Sequence, residues 1–290
     1  MLMDLNYWLM PLESIVRLVF FVLFFCIFGI WQHYQKDRFL PTAIKVRWGR
    51  HFTLLVSGLA CVGGLCFSVV PLSVAFEVSQ QKMGILNSTN LISLPYEIKM
   101  LLSILMLDWV VYMSHRAYHR IPLAWRFHKV HHTDREIDVT TGFRFHPIET
   151  LLSFLIKILA IIVIGPPLFA VLLFEILLNA AVLFTHTNVK IPEKIEGIMR
   201  YFIVTPTMHH IHHSDLDSEQ HHNFGFIFSI WDKLFSSYLP DSKFEEQMNS
   251  GVKGYRDPQY QTLKVLFKMP FEAHRRQASI EPKIHMKAPT

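Results

Sequence analysis

Long runs of apolar residues constrain the fold of this 290-residue chain more than any other feature of its sequence. They occupy residues 15–31, 52–76, 98–113 and 151–185. A helix that crosses the hydrocarbon core of a bilayer needs about 20 apolar residues. The sequence therefore predicts an all-α integral membrane protein with four to five hydrophobic helices.

The last apolar run is interrupted by Gly165-Pro166-Pro167. Proline removes a helix donor, and a Gly-Pro step favours a turn. The run is therefore predicted to form a helical hairpin. Its first arm is short for a crossing, so a re-entrant or tilted hairpin and two complete spans are equally consistent with the pattern.

Loop charges predict the orientation of these helices. The loop before the third run, residues 77–97, has a single basic residue, Lys82, whereas the loop between the first two runs has several. The positive-inside rule places the basic loop in the cytoplasm, and with it residues 114–150 and the chain after residue 185. We expect a bacterial inner membrane or endoplasmic reticulum protein. The basic residues between the first two runs are Lys36, Arg38, Lys45, Arg47 and Arg50.

Three regions follow from these patterns. Residues 1–97 form amino-terminal spans and loops, residues 98–240 form a central region with a cytoplasmic helical cap, and residues 241–290 form a basic cytoplasmic tail. Basic cytoplasmic loops account for the net charge of +5, and no basic stripe with interleaved aromatic residues predicts nucleic-acid binding. The cysteines all lie inside apolar runs, so a metal would be held by nitrogen and oxygen.

Histidines cluster at the predicted cytoplasmic ends of the apolar runs. Imidazole suits iron, zinc and copper, and no other side chain recurs here with such ligand spacing. The candidate metal ligands are His115, His119, His128, His131, His132, His186, His209, His212 and His213.

Helix geometry divides this set. Residues three or four apart share a helix face, so His115 and His119 can converge on one ion. Adjacent residues such as His131 and His132 point about 100° apart, so they can serve different ions. Nine imidazoles exceed the about four to six ligands of one first-row ion, and the count therefore predicts two metals.

Other interpretations remain for these histidines. Isolated histidines are usually surface or core residues, which is the interpretation for His33, His51, His274 and His285. Clustered histidines also occur in structural zinc sites, membrane proton relays and metal transporters. The alternative function is therefore a membrane metal transporter or a non-catalytic metal-binding protein.

A second set of polar residues is predicted to support the site. Asp108 lies two helical turns before His115, where a buried carboxylate is expected to hydrogen-bond a metal-bound imidazole. Asn188 is expected to hold a metal-bound water, and Glu175 and Asn179 to make polar contacts between helices. Second-tier ligands or supporting partners are His146, His210, His222 and Asn223.

Several motifs resemble the fatty acid hydroxylase and sterol desaturase superfamily of membrane di-iron enzymes. The similar segments are residues 107–116, the Trp125–His132 stretch WRFHKVHH, residues 143–149 (FRFHPIE), residues 184–189 (FTHTNV), residues 205–214 (TPTMHHIHHS), and the NFG and WDKLF elements at 223–225 and 231–235. Some members carry another histidine where this chain has Lys190; that ligand could be absent or supplied by His146 or a water.

The resemblance implies an oxygen-dependent reaction on a lipid. Two iron ions would activate O₂ and a hydrogen would leave an unactivated C–H bond, giving hydroxylation or desaturation of a sterol, fatty acyl chain or related lipid. Zinc can replace iron in purified samples. The chain has no haem-binding, Rossmann or cysteine-cluster motif, so electrons are expected from a separate b-type cytochrome, ferredoxin or flavin reductase.

Overall fold

The computed structural model describes residues 2–35, 37, 40–66, 70–88, 91–242 and 249–272, with side chains from residue 12 onward. Within these ranges the chain is helical and has two isolated β-bridges but no strand. The all-α prediction is confirmed. The helices are α1 (Leu2–Tyr34), α2 (Ile44–Leu65), α3 (Pro71–Gln80), α4 (Tyr96–Arg120), α5 (Pro122–His132), α6 (Pro147–Ile164), α7 (Leu168–Thr185), α8 (Glu193–Met199), α9 (Pro206–His212), α10 (Asp217–Gln220), α11 (Ile230–Leu234) and α12 (Leu263–Lys268).

Four of these helices are long and apolar enough to cross a membrane: Leu12–Tyr34 of α1, and α4, α6 and α7. This agrees with the predicted four to five hydrophobic helices. The predicted run at 52–76 is not one helix, because α2 ends at Leu65 and α3 begins at Pro71. Gly63 and Gly64 are poor helix formers, and proline is favoured in a first helical turn, which accounts for the separation.

The α6–α7 hairpin follows the prediction from Gly165-Pro166-Pro167. Helix α6 ends at Ile164, and Gly165 takes the left-handed conformation with φ 70°. A Cβ at Gly165 would lie 2.5 Å from the Met83 carbonyl oxygen, so glycine is needed for both conformation and space. The turn therefore packs against the segment that follows α3.

One end of the helical bundle collects the termini that carry the candidate ligands. The Asp37 amide, just beyond α1, donates to the Asn188 carbonyl beyond α7 at 3.1 Å. Buried Gln32 accepts from the Asn188 amide at 3.2 Å and from the Val139 amide at 3.0 Å. The carboxyl ends of α1 and α7 therefore lie beside the chain that follows α5.

A buried ion cluster fixes the start of α2 to the same end. Arg47 Nη1 donates to Asp134 Oδ1 at 2.9 Å, and Arg47 Nε donates to Asp138 Oδ2 at 3.3 Å. Arg144 Nη1 lies 3.4 Å from Asp134 Oδ1. Burial raises the pKa of Asp134, but Arg47 and Arg144 outweigh it and hold that pKa well below its usual range. The cluster is thus a set of ionised groups that neutralise one another.

Part of the predicted tail belongs to this cap. Gln261 accepts from Arg144 Nη1 at 3.0 Å and donates to the Thr133 carbonyl at 2.8 Å. Leu266 and Met269 pack with residues of α2 and α5. Residues 249–272 therefore cover the cap, and residues 243–248 and 273–290 of the predicted tail, with His274 and His285, lie outside the described residues.

Candidate metal centre

Four segments bring all nine candidate histidines together at the end of the bundle. They come from α4, from α5, from the residue that caps α7, and from α9 with its capping residue. In each of two groups the potential ligand atoms lie within 4.8 Å of one another, and every member is buried. The five-histidine group is His115, His119, His128, His132 and His212; the four-histidine group is His131, His186, His209 and His213.

Adjacent histidines fall into different groups. His131 belongs to the four-histidine group and His132 to the five-histidine group. His212 and His213 separate in the same way, with ring planes at 90°. This arrangement follows from the angular step of the α-helix between neighbouring residues. It lets two short helices each contribute to both groups.

Backbone and side-chain acceptors fix three rings of the five-histidine group. His115 Nδ1 donates to the Phe224 carbonyl at 2.7 Å, and His212 Nδ1 donates to the His222 carbonyl at 2.8 Å. His128 Nδ1 lies 2.5 Å from Glu149 Oε1. A neutral imidazole has one N–H, so these contacts leave each Nε2 with a free lone pair. Partners of this kind orient metal-binding histidines in proteins.

The freed Nε2 atoms face one another. His115 Nε2 lies 3.1 Å from His128 Nε2 and 3.1 Å from His212 Nε2. Burial lowers the pKa of His128 to about 3, so at neutral pH His128 is not an imidazolium that bridges to His115 Nε2. Lone pairs directed into one buried space are costly unless a proton or a cation lies between them. The donor set therefore fits a metal ion.

The four-histidine group shows the same arrangement with fewer fixed rings. His186 Nδ1 donates to the Val182 carbonyl at 2.7 Å. Its Nε2 lies 3.2 Å from His131 Nε2 and 3.0 Å from His209 Nε2. Burial lowers the pKa of His186 to about 4, which keeps the ring in the neutral form that binds metals.

Several buried ring nitrogens have no hydrogen-bond partner among the described residues. Both nitrogens of His119, His132 and His213 are in this condition. Unpaired buried polar atoms are costly and call for a ligand. Burial holds the pKa of His132 and of His213 well below the usual range, so both rings are neutral. These atoms are a second, independent sign that the histidines hold ions.

The predicted supporting residues lie outside both groups. Asp108 Oδ2 accepts from Trp231 Nε1 at 2.8 Å and from the Phe228 amide at 3.2 Å, so it ties α4 to α11 and not to an imidazole. His146 Nδ1 accepts from the Ile148 amide and caps α6. These three bonds engage side chains that sequence spacing alone directs towards the metal site.

The remaining second-tier residues hold the cap together. Asn223 has φ 55°, and its side-chain Nδ2 donates to the Met208 carbonyl at 3.0 Å and the Leu239 carbonyl at 2.9 Å. His222 contributes its carbonyl to His212. His210 is buried and lines a surface cavity of about 730 Å³ with Lys190. Asn188, two residues after His186 in the sequence, is also buried.

A second cavity, of about 450 Å³, runs from the five-histidine group into the bundle. His115 and His128 lie on its wall, with aromatic and aliphatic residues of five helices. Apolar wall residues include Phe21, Leu55, Val111, Phe143, Phe154, Leu183 and Phe226.

The contact between Glu149 and His128 is not predicted from the sequence. The available signal for a buried carboxylate near the histidines is the position of Glu149 in the first turn of α6, three residues after His146.

Comparison with known sequences finds similarity to one family. The sequence model described as fatty acid hydroxylase matches residues 100–237, the segment that contains all nine histidines. Over this segment the chain is similar to the fatty acid hydroxylase family. The Rhizobium tropici ornithine lipid hydroxylase OlsE is 28% identical over 186 residues, covering 64% of this chain and 55% of that protein.

Two further relatives that the chain is similar to are oxidoreductases by name. The Xenopus tropicalis alkylglycerol monooxygenase is 28% identical over 212 residues, 70% of this chain and 45% of its own length. The mouse lathosterol oxidase is 26% identical over 147 residues, 48% of this chain and 44% of its own. The chain thus spans about half the length of the curated relatives it matches. No solved structure matches the chain.

Proposed function

We propose that the protein is an O₂-dependent di-iron lipid oxidoreductase that hydroxylates or desaturates a sterol, fatty acyl chain or related lipid. The observation that carries this proposal is the juxtaposition of two buried histidine groups with an apolar cavity. His115 and His128 belong to the five-histidine group and also lie on the wall of that cavity. A hydrocarbon chain in the cavity would therefore meet the metal centre directly.

The nine histidines are the proposed ligands of two iron ions, five on one ion and four on the other. Iron would supply O₂ activation. The protein contributes neutral, buried nitrogen donors held by the Phe224 and His222 carbonyls and by Glu149. Imidazole ligation with open positions suits iron in oxygenases, and zinc competes for the same donors during purification.

The proposed hydroxylation inserts one oxygen atom of O₂ into a C–H bond and reduces the other to water. This balance needs two electrons and two protons. Desaturation would use the same electrons and remove two hydrogens, giving two waters. A separate electron-donor protein, such as a b-type cytochrome, a ferredoxin or a flavin reductase, is the proposed source of reducing equivalents.

The proposed orientation places the histidine end at the cytoplasmic face of a bacterial inner membrane or the endoplasmic reticulum. The basic loop around Lys36 and Arg50 favours it. Residues 98–240 are the proposed catalytic region, preceded by membrane helices in 1–97 and followed by the 241–290 segment, part of which packs on the cap. A soluble reductase could then reach the metal centre.

The direct test combines metal analysis with oxygen consumption. We expect the full chain, purified in lipid nanodiscs and loaded with iron, to hold about two irons and to consume O₂ when a chemical or protein reductant and a total lipid extract are both present. Mass spectrometry of the lipids should show a gain of one oxygen or a loss of two hydrogens.

A matched control uses His33, which is exposed on α1 and outside both groups. His33→Ala should retain about two irons and turnover, whereas His186→Ala should fall to about one iron and lose turnover. Metal flux across vesicles without lipid oxidation would instead establish the transporter interpretation and refute the enzyme.

A further inference from the structure

Charged side chains line the cavity far from the histidines. Lys157 Nζ contacts Glu175 Oε1 at 2.7 Å and Oε2 at 3.0 Å, linking α6 to α7. Arg17 Nη2 lies 3.1 Å from Glu175 Oε2, and Arg17 Nη1 donates to Glu13 Oε1 at 3.0 Å. These residues lie within three of the candidate membrane spans, where ionisable groups are costly and generally functional.

Packing between helices explains only part of this cluster. Glu175 and Glu13 are buried, with 3% and 1% of their side chains exposed, as expected for an interhelical ion pair. The two cations are different: the Arg17 side chain is 29% exposed and the Lys157 side chain 20%. Both residues line the cavity that a lipid would enter.

Asn179 adds a hydrogen-bonding group with no evident packing role. It lies one helical turn beyond Glu175 on α7 and lines the same cavity. No hydrogen bond joins its side chain to another described residue. The side chain is partly buried, and a ligand that supplies a hydrogen bond stabilises an amide that borders an apolar cavity. The expected polar contact between helices is made by Glu175 and not by Asn179.

The cluster also indicates the charge of its ligand. Two carboxylates, Glu13 and Glu175, already balance the two cations, Arg17 and Lys157. A ligand with a net charge would leave one charge uncompensated in a medium of low dielectric constant. A neutral group that both accepts and donates hydrogen bonds matches the cations and the amide without that cost.

We propose that this far end of the cavity is a subsite for an uncharged hydrogen-bonding group of the lipid, a hydroxyl or an amide, and that the hydrocarbon extends from it to the five-histidine group. This inference rests on the proposed function for the reacting end only. Glu149, which contacts His128, and Lys157 are eight residues apart on α6, or about 12 Å along the helix axis. The oxidised carbon is therefore separated from the polar group by about this length of hydrocarbon.

Binding of simple probes tests the subsite without turnover. The full chain in nanodiscs, loaded with metal, is titrated with n-dodecanol, n-dodecane and dodecanoate, and affinity is read from the ligand-dependent rise in Tm. We expect dodecanol to bind about tenfold more tightly than either of the others, as one or two added hydrogen bonds allow. Equal affinity of alcohol and alkane would overturn the proposal, and stronger binding of dodecanoate would replace the neutral ligand with an anionic one.

Matched variants assign the selectivity to Asn179. Asn179→Leu should reduce the preference for dodecanol over dodecane to less than about threefold, because one of the hydrogen-bonding partners is gone. Asn179→Gln should keep most of it. Leu59→Val, on the apolar wall of the cavity, should lower the affinity for both probes and leave their ratio unchanged. An unchanged ratio in Asn179→Leu would remove that residue from the subsite.

Paramagnetic broadening tests the orientation. With ¹³C-labelled dodecanol and a paramagnetic ion in the histidine groups, the methyl carbon should broaden more than the carbinol carbon. The reverse order would place the hydroxyl at the metal and refute the proposed subsite, even if the alcohol binds well. Selective binding with no lipid-dependent oxygen consumption would contradict the proposed function and leave the subsite standing.

Discussion

The two histidine groups use similar ligands in different surroundings. In the five-histidine group, His115, His128 and His212 each have Nδ1 fixed by a carbonyl or by Glu149. In the four-histidine group His186 has such a partner, whereas Nδ1 of His131, His209 and His213 has none among the described residues. The first group borders the apolar cavity, and His210, next to His209, lines the polar surface cavity beside the second.

This difference assigns distinct tasks to the two proposed ions. A site beside the substrate needs rings held in one geometry, because a small displacement of the metal changes its distance to the reacting carbon. If the proposed ions are six-coordinate, four histidines would leave two positions for ligands from solvent or O₂, and five would leave one. The five-histidine group would then serve mainly for position, and the four-histidine group would offer more free coordination sites.

The largest expected effect comes from removing one ligand from each group. His212→Ala and His209→Ala should each lower the iron content from about two to about one and abolish turnover. The loss of activity should exceed the about 10–100-fold loss that follows when a residue that hydrogen-bonds a metal ligand is replaced. Elemental analysis and lipid oxidation measure both. Complete loss of iron from one variant, with one iron left in the other, would show that the two sites fill in a fixed order.

How much of the candidate metal centre can be predicted from the sequence depends on whether a contact is local or tertiary. Local helix geometry predicted that His131 and His132 point to different sites, because adjacent side chains diverge by about 100°. The ring partners of His115 and His212 are carbonyls of Phe224 and His222, and backbone acceptors carry no residue-type signal. Tertiary contacts of this kind need the fold.

The dependence of tertiary contacts on the fold also explains why some predicted contacts differ from those in the structure. Asp108 shares a helix face with His115, but the side chain of Trp231 and a backbone amide of the cap lie closer to its carboxylate. Arg47, counted among the basic loop residues that predict orientation, lies in α2 and is buried against Asp134. Spacing within one helix predicts the face of a residue, while the partner on that face comes from elsewhere in the chain.

The next prediction concerns support that both groups share. The Arg47–Asp134 pair holds the segment that follows His131 and His132, which belong to different groups. Arg47→Met leaves Asp134 short of its main partner and should reduce the free energy of unfolding by about 3–5 kcal/mol, lowering metal content in both groups equally. Thermal and chemical unfolding in nanodiscs measure the change.

Arg50→Met is the matched control, one helical turn away on α2. We expect it to change the free energy of unfolding by less than about 0.5 kcal/mol. Loss of metal from one group alone in Arg47→Met would contradict the shared support.

A smaller and selective effect is expected at Glu149. Glu149→Gln keeps the shape of the side chain but weakens the 2.5 Å contact that orients His128. Metal affinity of the five-histidine group should fall about tenfold, and that of the four-histidine group should not change. Equilibrium competition with a chelator, resolved into two metal-binding steps, measures both affinities, and an equal fall of the two would refute separate sites.

The smallest effect is expected at His146, which is named from the sequence, with water, as a possible replacement for the ligand that the family pattern has at position 190. Its Nδ1 accepts from the Ile148 amide, and its Nε2 lies 3.3 Å from the Phe267 carbonyl, so both nitrogens are engaged away from the two groups. His146→Asn should leave about two irons and normal turnover, because asparagine also caps helices, whereas His146→Ala should lose about 1 kcal/mol of stability. A fall towards one iron in His146→Asn would make His146 a fifth ligand of the four-histidine group, and the contrast in ligand number between the two groups would disappear.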